Sequence, residues 1–264
     1  MPSVHVILAV LSGTLVGFSL GLVGGGGSML AVPLLVYVVK VADPHVAIGT
    51  TALAVSLNAF ANLLLHARAG HVRWSSAAVF ATAGTAGAAI GSTAAQWIDG
   101  QRLLFLLGLM MLLIAMKTLI GARRRIEPGP PSVRAGQVLA AVGFGTGGVS
   151  GFFGIGGGIL CVPGLIRATG MSIAEAIGSS LLPVGVFSMT TAVNYAAAGF
   201  VDVAIALQFI AGGILGGIAG TYLAGQLATR RGALQSLFAL VLAGTAVYIL
   251  VRASTGMFHW VGAP

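Results

Sequence analysis

Charge is what this sequence has least of. Only 7% of its 264 residues are charged, against roughly 25% in an ordinary soluble domain. Carboxylates are scarcer still: five in all, Asp43, Asp99, Glu127, Glu175 and Asp202. Each sits at the end of an apolar run or in a loop. A carboxylate within a membrane span is the usual mark of a proton relay or cation site, so its absence favours an anionic or neutral ligand. The single cysteine, Cys161, excludes an intramolecular disulfide. The five histidines, His5, His45, His66, His71 and His259, lack metal-ligand spacing, and neither a metal nor another cofactor is expected. There is no G-X-Y period behind the 41 glycines, which excludes collagen. Met1 to His5 lacks the basic start of a signal peptide, so the first apolar run is read as retained.

What is present is apolar. Hydrophobic residues make up 57% of the chain and the mean hydropathy is +1.03. A soluble fold of this length cannot hide that much apolar surface, so the chain is read as an all-α integral membrane protein whose main partner is the lipid bilayer. The net charge of +8 does not point to nucleic acid. The basic residues lie between apolar runs, Arg123, Arg124 and Arg125 are the one cluster, and no aromatic-interleaved basic face exists.

Ten apolar runs fall near 4–23, 28–39, 46–66, 74–98, 102–121, 135–153, 158–166, 172–198, 203–227 and 232–251. Spanning helices need ~20 residues. The second run of each half is too short, being bounded by glycines and holding a proline. Eight to ten helices are expected, with broken or re-entrant segments near the start of each half. The expected organisation is an N-terminal transmembrane repeat over 1–122, a basic linker over 123–134, a C-terminal repeat over 135–252, and a short tail over 253–264.

The halves repeat one another. Residues 21–33, GLVGGGGSMLAVP, match 151–163, GFFGIGGGILCVP. Seven of these 13 positions are identical, including Gly24/Gly154, Gly26/Gly156, Gly27/Gly157 and Pro33/Pro163. After a one-residue shift Ala47-Ile-Gly-Thr-Thr51 matches Ala176-Ile-Gly-Ser-Ser180. Gly84, Gly87 and Gly91 match Gly213, Gly216 and Gly220, and these are read as packing glycines.

Alternating the runs across a membrane places 10 of the 13 Lys and Arg on one side: Arg68, Arg73, Lys117, Arg123, Arg124, Arg125, Arg134, Arg167, Arg230 and Arg231. Lys40, Arg102 and Arg252 fall on the other. The basic side is expected to be cytoplasmic, in a cell (inner) membrane. Each half has an odd number of runs, so the halves are expected to be inverted.

Broken helices at matching places in inverted halves point to a transport site. Backbone N–H groups freed at such a break, next to a helix N-terminus, suit an anion. The candidate substrate-binding residues are therefore Gly24, Gly25, Gly26, Gly27 and Ser28 in the first break, and Gly154, Gly156, Gly157 and Gly158 in the second. Thr50, Thr51, Ser179 and Ser180 are the best side-chain ligands, with Asn58 added. Asn58, Asn62 and Asn194 serve equally well as hydrogen bonds between helices. Pro183 removes the bond to the Ser179 carbonyl and predicts an unwound stretch beside the break. Glu175, one turn before Ser179, is read as a solvated helix-start acid, with gating as the sharper alternative. Ser150, in Gly-Val-Ser-Gly, would be a hydrolase nucleophile only beside a histidine. It is read as a packing residue, and no catalytic residue and no enzyme activity are expected.

At the two glycine blocks and the Thr-Thr and Ser-Ser pairs that follow, the sequence resembles the TauE/SafE family of sulfite exporter-like permeases, over nearly the whole chain. The resemblance implies transport of small sulfur-containing or organic anions, such as sulfite, thiosulfate or sulfoacetate. The residues themselves reach a site for a small anion at membrane depth, in a secondary transporter working by alternating access. The other reading is an anion or small-solute channel. A secondary transporter leaves room for a coupling ion, H+ or Na+, and the residues do not choose between them. Small-residue faces suit a homodimer as well as packing within one chain.

Overall fold

A computed structural model describes residues 2–121, 135–226 and 231–261. The basic linker expected at 123–134 and Arg230 lie outside the described residues. In chain order the helices are α1 (Pro2–Val23), α2 (residues 25–38), α3 (Pro44–Arg68), α4 (Trp74–Gln96), α5 (Gly100–Gly121), α6 (Ala135–Phe153), α7 (Gly158–Thr169), α8 (Ile173–Ala197), α9 (Val203–Gln226) and α10 (Arg231–Val261). No strand occurs among the described residues. Seven of these helices are long and apolar enough to cross a membrane. The two short ones, α2 and α7, are the ones whose runs contain the glycine block and its proline. α10 continues through most of the expected tail.

The helix ends have local causes. Asp43 accepts the His45 N–H at 2.8 Å, and Pro44 takes the first position of α3, where a missing N–H costs nothing. Ser172 and Glu175 close a reciprocal capping box on α8. Gly157 and Gly170 bound α7 in left-handed conformations. α2 winds unevenly, with 3-10 turns over Gly25–Leu30, one α turn over Ala31–Pro33 and a π turn over Leu34–Val38.

One expectation fails here. α8 is helical through Pro183 and is not unwound. Proline removes a single intrahelical bond. α8 is packed by α3, α4 and α7, and neighbouring helices support such a defect within a membrane span.

The halves interlock. α1 packs chiefly on α9, and its counterpart α6 packs chiefly on α4. Gly13, Gly17 and Gly21 of α1 meet the backbone of Phe209, Gly213 and Gly217. Gly143, Gly147 and Gly151 of α6 meet Phe80, Gly84 and Ala88 in the same register. At these points a methyl group would overlap a carbonyl oxygen. Without a hydrophobic driving force between helices in lipid, such close backbone contact is a main source of cohesion. The packing role of Gly87, Gly91, Gly216 and Gly220 follows from the same contacts, with Phe144, Gly148, Thr14 and Phe18. α5 pairs with its own counterpart, α10, and α3 with α8.

α3 and α8 form the centre, each about two-thirds buried where the other spanning helices are less than half buried. They run antiparallel. Gly49 lies against Phe200, the Ser56 hydroxyl donates to the Gly185 carbonyl at 2.8 Å, and Gly178 lies against His66 and His71. These two equivalent helices thus point in opposite directions.

Candidate functional site

The site is built where α1 and α6 end. Gly24 has φ 77 and ψ −157, a region open essentially to glycine alone. In the second break Gly154, Gly156 and Gly157 have φ of 68, 67 and 63. Left-handed backbone costs other residues roughly 1–2 kcal/mol each. These four positions are where glycine is required by conformation, and they turn the chain from one helix into the next.

The breaks cross over. The Cβ position of Gly24 lies 3.1 Å from Ile177 Cγ2 and 3.4 Å from Ser180 Oγ, on α8 of the other half. Gly154 lies against Ile48 of α3, the counterpart of Ile177. Between the breaks, the Ser28 hydroxyl donates to the Ile155 carbonyl. Gly25 opens the 3-10 turns, Gly26 is buried beside it, and the Gly27 N–H donates back to the Gly24 carbonyl at 3.2 Å. Gly158 starts α7. The two breaks, 127 residues apart in sequence at Ser28 and Ile155, therefore meet.

The four candidate hydroxyls divide into two kinds. Thr50 Oγ1 accepts the Asp202 N–H at 2.9 Å, and Ser179 Oγ accepts the Arg73 N–H at 2.8 Å. These are equivalent bonds, and each ties the third helix of one half to the start of the fourth helix of the other. Thr51 Oγ1 donates to the Ala47 carbonyl at 2.8 Å and reaches that of Ile48 at 3.0 Å, while Ser180 Oγ donates to the Ile177 carbonyl at 2.8 Å. Both bond to their own helix, and Ser180 still faces the first break. Asn58 turns away from the breaks towards Gly213 of α9. It is fully buried, and neither amide atom has a hydrogen-bond partner. Asn62 and Asn194 link helices: Thr221 Oγ1 donates to Asn62 Oδ1 at 3.1 Å, and Asn194 Nδ2 donates to Ser92 Oγ at 2.8 Å and Thr93 Oγ1 at 2.9 Å.

Glu175 is the capping acid and also pairs with Arg73 at 2.8 Å, across from α4. Ser150 packs against Gly157, and its hydroxyl has no hydrogen-bond partner. No cluster of three or more metal-ligating side chains occurs among the described residues.

Two features escape sequence reading. Ser188 is fully buried, its hydroxyl unpartnered and 2.9 Å from the Cβ position of Gly156, so it points at the second break. Its spacing of eight from Ser180 puts it on the same helical stripe, which is the one signal that was present. The second is a hollow of about 340 Å³ where α2 ends and α5 begins, beside α10, lined by Tyr37, Lys40, Gln101, Tyr248 and Arg252 among others. Tyr37 and Tyr248 meet edge to face at 5.1 Å, and Arg252 Nε donates to Tyr248 Oη at 3.3 Å. Lys40 holds a left-handed φ of 64 at its rim. The nearby acids are occupied elsewhere. Asp43 caps α3, and Asp99 accepts the Gln101 N–H at 2.8 Å.

The family described as sulfite exporter TauE/SafE matches residues 9–249. A probable membrane transporter protein of Xylella fastidiosa is 51% identical over 248 residues, covering 93% of this chain and 95% of its own. The probable membrane transporter protein YunE of Bacillus subtilis is 27% identical over 261 residues, covering 90% and 95%. A further probable membrane transporter protein, from Haemophilus influenzae, is 25% identical over 181 residues, covering 66% and 67%. No solved structure matches the chain.

Proposed function

The chain belongs to the sulfite exporter TauE/SafE family of multi-pass membrane transporters, and from that premise we propose that it is a secondary transporter for a small anion, with its site at the two crossed glycine breaks. One observation carries this reading: breaks from opposite halves touch, each resting on the central helix of the other half. Rocking one half against the other then remakes a single site from two sides, which is alternating access.

The chemistry there is that of donors. The breaks that start α2 and α7 meet there, Ser188 adds a hydroxyl, and no carboxylate lies among the described residues of the breaks or their walls. Such a lining favours an oxyanion. Sulfite is the substrate that the family's description supports, and an organosulfonate presents the same kind of sulfur oxyanion. The basic sides of the helices orient the protein with the Arg68 and Arg73 end in the cytoplasm of a cell (inner) membrane. The hollow of Lys40 and Arg252 then faces outward and gathers anions at the outer mouth.

The test is flux of labelled sulfite, thiosulfate, sulfoacetate and sulfate into proteoliposomes. Saturable, anion-selective uptake that Gly156→Val removes is the expected result. Unselective flux, or flux unchanged in a folded Gly156→Val protein, overturns the reading. Flux that does not saturate and carries single-channel currents identifies a channel instead.

A further inference from the structure

His66 is the one buried histidine among the described residues, 6% exposed in the last turn of α3. Neither ring nitrogen has a hydrogen-bond partner. It stands beside the first break. Gly178, two residues before Ser180, packs on its Cβ at 3.3 Å, and Ser180 is the residue that faces Gly24. The groups around it come from four directions. His71 lies with its ring centre 6.1 Å away, Arg68 follows on the same turn, and Glu175 of α8 is held by Arg73. α1 ends there without a charged side chain, and the described part of α9 has none. Thr221 of α9 bonds to Asn62, one turn before His66.

His66 also ends a row. Asn58, Asn62 and His66 follow at intervals of four on one stripe of α3, and Asn58 and Asn62 lie against Gly213 and Gly217. The equivalent row on α8 is Phe187, Thr191 and Tyr195. One half therefore keeps two asparagines and an imidazole on this row, where the other keeps a phenyl ring, a hydroxyl bonded to its own helix and a buried phenol. The main pairings behind the two rows are alike, α3 on α9 and α8 on α4, and an imidazole stands on the first row alone.

An imidazole is the side chain whose charge changes near neutral pH. An anion seated at the first break, where the described residues offer no other buried cation, stabilises a proton on His66, and by reciprocity that proton stabilises the anion. We propose that His66 is the proton-carrying residue of this transporter. It accepts a proton from water on the side where the anion enters, imidazole becoming imidazolium. It returns that proton to water on the other side as the anion leaves, so that anion and proton cross together. The proposal rests on the transporter reading above, and its failure is separable from the failure of that reading.

The probe is thiosulfate, which stays doubly ionised between about pH 6 and about pH 8, the range over which histidine titrates. An imposed proton gradient should drive thiosulfate accumulation by the wild type. In His66→Gln accumulation should no longer respond to the gradient, while thiosulfate–thiosulfate exchange persists. Thiosulfate should bind the wild type about tenfold more tightly at the lower pH and bind His66→Gln equally at both. Tyr195→Phe, at the equivalent position, should behave as wild type. Undiminished gradient-driven accumulation in His66→Gln, or saturable wild-type exchange indifferent to pH, overturns the proposal alone. A wild type that moves no anion overturns the transporter reading itself. Should His66→Gln not fold, the wild type in weak buffer with an indicator dye decides. Proton uptake on adding thiosulfate supports the assignment, and its absence overturns it.

Discussion

The two halves differ in one respect that matters. Their frames are alike: Thr50 holds the start of α9 as Ser179 holds the start of α4, and Ile48 backs Gly154 as Ile177 backs Gly24. Their seams are not. Along α3 stand Asn58 and His66, whose polar atoms lack partners; the same positions of α8 hold Phe187, stacked 6.3 Å from Phe80, and Tyr195, whose buried hydroxyl also lacks one. The frame is built twice, and on this row only the first half carries an amide and an imidazole, which is where the two halves diverge in chemistry. Unpaired buried polar groups cost free energy, so a seam that keeps them is a candidate for function rather than cohesion.

The comparison can be broken hardest at the second break. Gly154→Val and Gly156→Val each force a side chain onto a left-handed backbone and into Ile48 or Ser188. Flux should fall at least about tenfold, with a stability cost of roughly 1–2 kcal/mol for the strained backbone alone, read by thermal unfolding. Next comes the seam. Asn58→Leu removes an amide with no partners, so it should raise stability by about 1–3 kcal/mol while lowering transport. Phe187→Leu should lower stability by about 1 kcal/mol and leave transport nearly unchanged. If both substitutions act alike, the asymmetry has no functional content. The shared frame predicts equality instead. Thr50→Val and Ser179→Ala each delete one crossing hydrogen bond and should cost about 0.5–1.5 kcal/mol apiece. The smallest effect belongs to the hollow of Lys40 and Arg252. The Lys40→Gln, Arg252→Gln double variant should raise KM a few-fold at low ionic strength, leave kcat alone, and lose its difference from wild type in high salt.

Much of the frame is legible in the sequence because it rests on local rules. Glycine blocks followed by proline interrupt apolar runs, and the repeat register survives in Ala-Ile-Gly followed by two hydroxyls. The short runs α2 and α7 follow from that. What is not legible is which partner each hydroxyl finds. Thr50 and Thr51 are adjacent and alike in sequence, yet Thr50 reaches Asp202 across the halves and Thr51 bonds back along its own helix. Which way each points depends on where α9 begins, a tertiary fact. Pro183 misleads for a similar reason, since its local cost is borne by the helices around α8. Asn58 shares a stripe with Thr51, but the stripe is wide enough for one residue to face α9 and another to face a break. The hollow beside α10 joins Lys40, Gln101 and Arg252, whose separation in the chain hides it from any pattern.

The central claim is that an anion lies where the two breaks meet. The direct measurement is diffraction from crystals grown with selenite, a heavier analogue of sulfite, at the selenium absorption edge. The account predicts an anomalous peak between the Ser28–Ile155 contact and the Ser188 hydroxyl. A peak confined to the hollow of Lys40 and Arg252, with none between the breaks, would contradict it.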